Sequence, residues 1–385
     1  MTTMHFRFVE PLDVLFLRGN KLFGDPGSHG DSLVPPWPSV AAGAIRSRLL
    51  ADDGIDLAQY ANNKVVHPTL GTPAEPGSFA LTGFQLARRL ANGRIEAIYT
   101  LPADLVVSEA DGTIQVRSLT PTTLAPGLQS SGVLPSLLHP VLAEHTRGKP
   151  AGGYWLLESG WRKYLSGQLP DRTDLIASRH LWAIDPRVGI GLDPATGRAD
   201  DGKLFSTQAV VMAQRDPSKA ESFDVGFLLS VRGAALPDAA MLRLGGDGRG
   251  ALLQAATVNP AEPDWKAIAQ NRRCRLILTT PGLFASGWLP NGCSGDRHFK
   301  LAGVAGRLVC ATVSRAETVS GWDLARWQPK PAQRTAPTGS VYWLNDLDAT
   351  PEDLHKLVNQ GLWSDVCEDS LRRAEGFNRI ALAAW

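Results

Sequence analysis

Residues 242–250 read LRLGGDGRG and residues 35–48 read PPWPSVAAGAIRSR, and these two stretches say most about the fold. In the first, an apolar strand runs into a glycine turn that Arg243 and Arg249 flank. Glycine adopts positive φ without steric cost and lets backbone N–H groups approach a phosphate, and arginine stays charged. The pattern predicts a contact with RNA, and a tight turn with a surface arginine is the alternative.

The elements around these stretches follow a β-α-β-β-α-β order, which is typical of a ferredoxin-like unit. Residues 5–9 alternate as a half-buried strand should, and Ser39 suits the N-cap of the helix that follows the prolines. The elements predicted next are a large insertion at about 62–178, a hairpin of strands at 204–212 and 223–231, a brief element at 236–240, and strands at 241–244 and 251–258.

A second, reduced copy of this unit is predicted in the C-terminal part. Its elements are strands at 274–280, 303–313 and 339–344 and a helix at 353–360. We therefore expect an α+β fold of two ferredoxin-like (RRM-like) domains, residues 1–260 with the insertion and residues 261–385.

Composition places the chain among globular proteins of the cytoplasm. The 385 residues are 43% hydrophobic and 20% charged, which excludes wholesale disorder. The first nine residues lack the basic and apolar regions of a secretory signal, and nothing approaches a transmembrane span. The four cysteines are widely spaced without a CxxC, so we expect buried free thiols and neither a disulfide scaffold nor a zinc site.

The net charge of +1 hides a reversal of sign along the chain. Residues 271–335 hold ten lysines or arginines against three acids, a net +7, whereas residues 336–371 hold seven acids against one lysine. This asymmetry suits a protein that follows a phosphate backbone on one face and meets protein on another. Two solvated faces of different sign are the alternative interpretation.

No motif for catalysis, for a metal or for a cofactor is found. The chain lacks the GxxxxGK[ST] loop of nucleotide hydrolases, and no acidic pair is completed by a neighbouring His or Cys as a metal site. His29 and His298 lie in glycine-rich loops near cations and are the residues that a metal-independent ribonuclease would use. We expect a protein that is not an enzyme.

An ordered series of segments resembles a known family over most of the chain. The series comprises residues 10–19 (EPLDVLFLRG), 35–39 (PPWPS), 42–46 (AGAIR), 187–193 (RVGIGLD), 201–205 (DGKLF), 244–249 (LGGDGR), 287–290 (GWLP), 314–315 (SR), 320–324 (SGWDL), 329–331 (PKP) and 339–343 (GSVYW). In this order the segments resemble the RAMP proteins of CRISPR effector complexes, and among them the subunit-three group of type III-B Cmr systems.

The resemblance implies two ferredoxin-like halves, an inserted β-hairpin thumb and a binding function. Such a subunit is expected to hold the 5′ tag of the CRISPR RNA and to dock on the large polymerase-palm subunit beside the backbone RAMP subunits, while the thumb separates tag from guide. Target RNA is met only indirectly. A RAMP-type endoribonuclease that cuts precursor RNA and a protein scaffold without RNA contact are the alternatives.

The residues assigned to RNA are cations and glycines near these segments, with one aromatic residue. Arg18, Arg46 and Arg187 end predicted core elements, where an RNA contact and a structural ion pair are both open, and Trp322 is a base platform or a buried indole. The full set is Arg18, Lys21, Arg46, Arg187, Lys203, Gly245, Gly246, Arg249, Arg297, Lys300, Arg315, Trp322 and Lys330.

Overall fold

A computed structural model describes residues 4–19, 29–110, 112–128, 138–143, 149–213, 222–367 and 369–385. The fold is α+β, with mostly antiparallel sheets and few helices. The strands are β1 His5–Pro11, β2 His29–Gly30, β3 Ala80–Leu90, β4 Ile95–Thr100, β5 Leu105–Ala110, β6 Thr113–Ser118, β7 Thr120–Thr122, β8 His139–Val141, β9 Tyr154–Leu157, β10 Leu175–Ala177, β11 Trp182–Leu192, β12 Ala199–Met212, β13 Phe223–Arg232, β14 Ala239–Arg243, β15 Gly250–Ala255, β16 Cys274–Leu278, β17 His298–Leu301, β18 Val304–Thr312, β19 Glu317–Val319, β20 Trp322–Asp323, β21 Gln328–Pro329, β22 Gln333–Thr335, β23 Val341–Asp348 and β24 Ile380–Ala384. The α-helices are α1 Pro38–Asp52, α2 Leu57–Ala61, α3 Glu158–Leu165, α4 Trp265–Asn271, α5 Pro351–Gln360 and α6 Ser370–Ala374.

The chain forms two compact units, each assembled from three separate stretches. The first unit holds residues 1–96, 179–258 and 318–333, and the second holds residues 97–178, 259–317 and 334–385, both as far as they are described. Compactness thus groups residues 97–178 with the C-terminal stretches. The division into domains 1–260 and 261–385 stays a prediction.

The first unit is built on β1, which is paired on both sides. Phe8 lies opposite Leu228 of β13 and opposite Gln254 of β15, both in antiparallel register. β3 then pairs with β13 and β14 pairs with β15, which gives the order β3-β13-β1-β15-β14. Almost every residue of β13 is buried, as expected for a strand in the middle of a sheet.

Helix α1 explains the proline and alanine segment. It begins after Trp37 with Pro38 at its first position, so the predicted N-cap at Ser39 lies two residues too late. Proline suits this position because its missing N–H has no helical partner there and its φ is already helical. The small buried residues Ala41 and Ala42 allow the helix to contact β3 and β14 closely.

The hairpin predicted for residues 204–212 and 223–231 is wrong. β12 pairs instead with β11 in a long hairpin, with Ile190 opposite Leu204, and β13 pairs with β3. The strand that follows helix α1 in the sheet is therefore β3, and the large insertion lies after it. Residues 239–243 form strand β14, so the element expected at 236–240 is not a helix.

The second unit contains a five-stranded antiparallel sheet in the order β17-β18-β23-β16-β24. Leu276 of β16 lies opposite Tyr342 of β23 and opposite Leu382 of β24. Helix α5 buries Leu354 and Leu357 in the same core, and Thr350 and Asp353 close its N-terminus as a capping box. The strands at 274–280, 303–313 and 339–344 and the helix at 353–360 are thus confirmed within a few residues.

The cysteines are free thiols, and two of the four are buried. Cys274 and Cys310 are buried, whereas Cys293 and Cys367 are partly exposed. Burial raises the pKa of the Cys274 and Cys310 thiols to about 12, so both stay protonated and unreactive. Within the described stretches, no helix is long and apolar enough to cross a membrane.

Candidate nucleic-acid interface

The glycine turn joins β14 to β15 and bends back on residue 16. The amide of Leu244 donates to the carbonyl of Arg249 at 2.9 Å, and the amide of Gly246 donates to the carbonyl of Phe16 at 2.8 Å. Gly245, Asp247 and Gly248 have φ of 78°, 56° and 61°. Three positive φ values within four residues explain why the sequence is rich in glycine here.

The two neighbouring glycines have different roles. A Cβ at Gly245 would lie 2.7 Å from the carbonyl oxygen of Phe16, which is closer than real Cβ contacts come. A Cβ at Gly246 would lie 3.4 Å from the Cβ of Phe16 and 3.8 Å from Nε of Arg18. Gly245 is therefore needed for the backbone to adopt this fold, whereas the space beside Gly246 leads to Arg18.

Gly245→Ala is expected to lower the free energy of unfolding by about 2 kcal/mol. Alanine is strained at the positive φ of this position, and its Cβ would clash with the carbonyl oxygen of Phe16. Gly246→Ala is expected to change it by no more than about 0.5 kcal/mol. Chemical denaturation of the two variants measures the difference. Equal losses would mean that Gly246 is as tightly enclosed as Gly245.

Residues 14–17 hold the turn from the other side. Val14 and Phe16 share one side of this segment and pack with Ala209 of β12. The amide and carbonyl of Leu15 both bond to Val210, at 2.9 and 2.8 Å. The alternation in the sequence VLFL thus places Phe16 between the glycine turn and the β11–β12 hairpin.

Two of the predicted arginines lie close to the ring of Phe16. The guanidinium carbon of Arg249 lies 5.1 Å from the centre of its ring, and that of Arg187 lies 5.9 Å from it. Both distances fall within the range of cation–π attraction. We name Arg18, Arg187 and Arg249 with the glycine turn the Phe16 cluster. Phe16 itself was not predicted, although its place two residues before Arg18 was visible.

Two carboxylates already face cations of the Phe16 cluster. Asp13 lies 2.9 Å from the guanidinium of Arg249, and Asp247 lies 3.8 Å from that of Arg18. Partial burial lowers the pKa of Arg18, and the carboxylate of Asp247 opposes that shift. The acid in the turn therefore faces Arg18. RNA phosphates would have to replace these carboxylates.

The β11–β12 hairpin carries Arg187 and Lys203 and an apolar outer face. Arg187 pairs with Asp185 at 3.0 Å, and Lys203 pairs with Asp200 at 2.5 Å. Val188 is 74% exposed and Leu204 is 58% exposed. β2 adds a short parallel strand beside β12, and the valine and leucine of the hairpin stay exposed in the first unit.

The other residues predicted to bind RNA lie outside the Phe16 cluster. Arg46 lies over the ring of Phe79 at 5.3 Å, and Lys21 falls outside the described residues. In the second unit, Arg297 is buried with φ of 73°, which points to a role in the fold, and its assignment to RNA stays a prediction. Lys300 and Arg315 of the same unit are exposed, whereas Trp322 of β20 and Lys330, which follows β21, belong to the first unit.

The sheet of the first unit offers no open face for stacking bases at β1. Phe8 is fully buried and lies beneath the guanidinium of Arg89, 5.2 Å from its ring centre. Arg89 in turn pairs with Glu10 and Asp224, each at 2.7 Å. This network covers Phe8 on that face of the sheet.

Histidines and acids form no catalytic or metal constellation that the described residues reveal. His67 is buried, and its Nδ1 accepts the amides of Thr69 and Leu70 at 3.1 Å, which is a structural role. His298 is exposed and bonds through Nδ1 to Asp296 at 2.9 Å. In the described part of the chain, no group of three or more His, Cys, Asp or Glu side chains is placed to hold a metal.

The comparison with protein families identifies the class and then the family. The matching profile is described as a CRISPR-associated protein and spans residues 7–385, so the chain is a CRISPR-associated protein. It belongs to the Cas_Cmr3 family. This confirms the resemblance drawn from the ordered segments and the place of the chain as a subunit of a type III-B effector complex.

The solved structures that match this chain are distant in sequence. A chain of a type III-B Cmr-beta complex bound to cognate target RNA is 12% identical, with a TM-score of 0.44, and the match covers 88% of this chain and 86% of that chain. A chain of the complex with cognate target RNA and AMPPnP, state 1, is 12% identical, with a TM-score of 0.48 and 98% of both chains covered. No curated protein sequence matches significantly.

Proposed function

We propose that the chain is a non-catalytic subunit that binds and caps the 5′ tag of the CRISPR RNA. It docks on the large polymerase-palm subunit beside the backbone RAMP subunits, meets target RNA only indirectly, and works in the cytoplasm without contact to a membrane. The observation that carries the proposal is the Phe16 cluster, where Arg187 and Arg249 lie over the ring of Phe16 and Arg18 faces Asp247 of the glycine turn.

The order of strands supports two ferredoxin-like halves. In chain order, the four strands of such a unit lie in the sheet as fourth, first, third, second. In the first unit, β15-β1-β13-β3 follow this order, and β14 occupies the place of the second helix. In the second unit, β24-β16-β23-β18 follow it, with α5 as the second helix.

The chemistry of the Phe16 cluster suits a single strand of RNA. Single-stranded RNA presents phosphates to arginines and backbone N–H groups, and its bases stack on apolar or planar side chains. Arg18 and Arg249 supply guanidinium forks at the turn, and the outer face of the β11–β12 hairpin supplies Val188 and Leu204. We assign this hairpin, which follows the predicted insertion at about 62–178, as the thumb that separates tag from guide.

The test of the proposal uses purified protein and labelled repeat RNA in the absence of metal. Binding that depends on the tag, without cleavage, is the expected result. Specific cleavage that His298→Ala abolishes would instead establish the endoribonuclease alternative, because the exposed His298 and Asp296 pair is the described group best placed for proton transfer. Absence of any RNA binding would favour a scaffold.

Arg249→Ala is expected to reduce the slope of log affinity against log salt concentration by about one, because one phosphate contact releases about one counterion. Fluorescence anisotropy with the tag RNA at several salt concentrations measures the slope. Arg172→Ala is the control, since Arg172 is an exposed arginine that is not among the residues assigned to RNA. An unchanged slope in Arg249→Ala would remove this arginine from the interface.

A further inference from the structure

The β20–β21 hairpin exposes three large apolar side chains at its tip. Trp322 is 47% exposed, Leu324 is 67% exposed and Trp327 is 74% exposed. Trp322 lies opposite Pro329 in the ladder, so the tip is formed of two indoles, a leucine and a proline. Side chains of this size normally contribute to a core, and here they contribute little to one.

The backbone of this tip is built at a cost in stability. Trp327 has φ of 52°, a left-handed conformation that is rare for bulky residues and that glycine or asparagine adopts more easily. The carboxylate of Asp323 accepts the amides of Ala325 and Arg326 at 3.0 and 3.1 Å and so closes the turn. The turn thus holds the exposed indole of Trp327 on a strained backbone, and burial within this chain does not offset the cost of that strain.

The indoles are ordered against each other. The ring centres of Trp322 and Trp327 lie 5.9 Å apart with an angle of 86° between the planes, which is the favoured edge-to-face geometry. This contact makes the two indole rings one continuous apolar surface. Strain, exposure and preorganisation together are typical of a binding site.

The charge of the tip distinguishes a protein partner from RNA. Residues 322–329 carry one acid, Asp323, and one base, Arg326, and Lys330 follows, so the hairpin has a net charge of only +1. A surface that follows phosphates needs a larger excess of cations. Interfaces between proteins are instead enriched in tryptophan and arginine and depleted of other charges at their centre.

We propose that the tip of this hairpin, Trp322, Leu324 and Trp327, is an anchor that inserts into an apolar, uncharged pocket on a neighbouring protein subunit of the effector complex. The proposal uses the membership of the chain in such a complex, and it is independent of the proposed binding of the tag. Trp322, predicted above as a base platform, then belongs to a protein interface.

The test uses a double variant that combines Leu324→Ser and Trp327→Gly, and it compares this variant with the wild-type full chain. Glycine relieves the positive φ at position 327, so the melting temperature is expected to stay the same or rise. Affinity for one of the other purified subunits, each measured separately by biolayer interferometry, is expected to fall about 30-fold. Affinity for tag RNA is expected to be unchanged. Val66→Ser, which removes a 69% exposed valine, is the control and is expected to keep full affinity for the subunits.

Three results would overturn the proposal. A loss of RNA affinity with unchanged subunit affinity would show that the indoles stack on bases. Unchanged affinity for every subunit would show that the tip is outside all interfaces between them. An equal loss in Val66→Ser would mean that the effect is a general response to fewer apolar side chains. Failure of the wild-type chain to bind tag RNA would contradict the proposed function and leave this test intact.

Discussion

Arg275→Ala is expected to cost about 3–5 kcal/mol of the free energy of unfolding, since it removes one partner of a buried ion pair. The guanidinium of Arg275 lies 3.0 Å from the carboxylate of Asp104, which is 1% exposed. It also donates to the carbonyls of Tyr164 and Ala384, each at 3.0 Å. The variant leaves Asp104 and these two carbonyls without Arg275 as a partner, whereas the hydroxyl of Tyr164 still donates to Asp104 at 2.7 Å.

The pH dependence of this loss gives a second check. Burial raises the pKa of Asp104, and Arg275 and Tyr164 oppose that rise. Without Arg275 the pKa rises further, so the folded variant takes up a proton and its stability is greatest at low pH and falls as pH increases through that pKa. Urea unfolding should therefore find a smaller loss at pH 5 than at pH 8.

A neutral pair is the matched control for Arg275→Ala. The double variant Asp104→Asn with Arg275→Met removes both charges at once, and it is expected to recover a large part of the loss because no charge stays buried alone. A loss below about 1 kcal/mol in Arg275→Ala would mean that water reaches Asp104. No difference between the single and double variants would mean that packing, and not charge, dominates.

Local patterns predicted the elements of the second unit and the hairpin at the glycine turn. The strand at 274–280 and the helix at 353–360 have strong periodicity and clear boundaries, so propensity and tertiary structure agree there. The prediction that β12 pairs with β13 was wrong because the two apolar strands flank a polar turn, which is also the pattern of a hairpin. Only the long-range partners of β13, which are β1 and β3, decide its place, and adjacency in sequence does not reveal them.

The candidate site was predicted in part for the same reason. Arg18 and Arg187 were chosen from the ends of predicted elements and Arg249 from the glycine turn; the structure brings Arg187 and Arg249 to one aromatic ring and Arg18 to Asp247 of the turn. Phe16 was missed because an apolar residue in an apolar run carries no local sign of a cation above it. Asp13 was missed as the partner of Arg249 because the two residues are 236 positions apart.

Charge reversal of both arginines at the glycine turn is expected to weaken tag RNA binding by about 100-fold or more. Each guanidinium contact with a phosphate contributes about 1.5–3 kcal/mol as a charge-assisted hydrogen bond, and a carboxylate in its place adds repulsion. The variant is Arg18→Glu with Arg249→Glu, measured by anisotropy at constant salt. Arg94→Glu with Arg172→Glu changes the net charge equally on exposed residues outside the assigned set, so it separates a local contact from general attraction.

The carboxylates beside these arginines give a prediction of opposite sign from the same geometry. Asp13→Asn and Asp247→Asn each remove an anion that faces a cation of the Phe16 cluster, at 2.9 and 3.8 Å, and asparagine tolerates the positive φ of 56° at position 247. Both variants are therefore expected to bind tag RNA more tightly, because a phosphate no longer has to displace a carboxylate. If reversal of the arginines and neutralisation of the acids both leave affinity unchanged, the arginines are structural, and RNA has to meet the chain elsewhere.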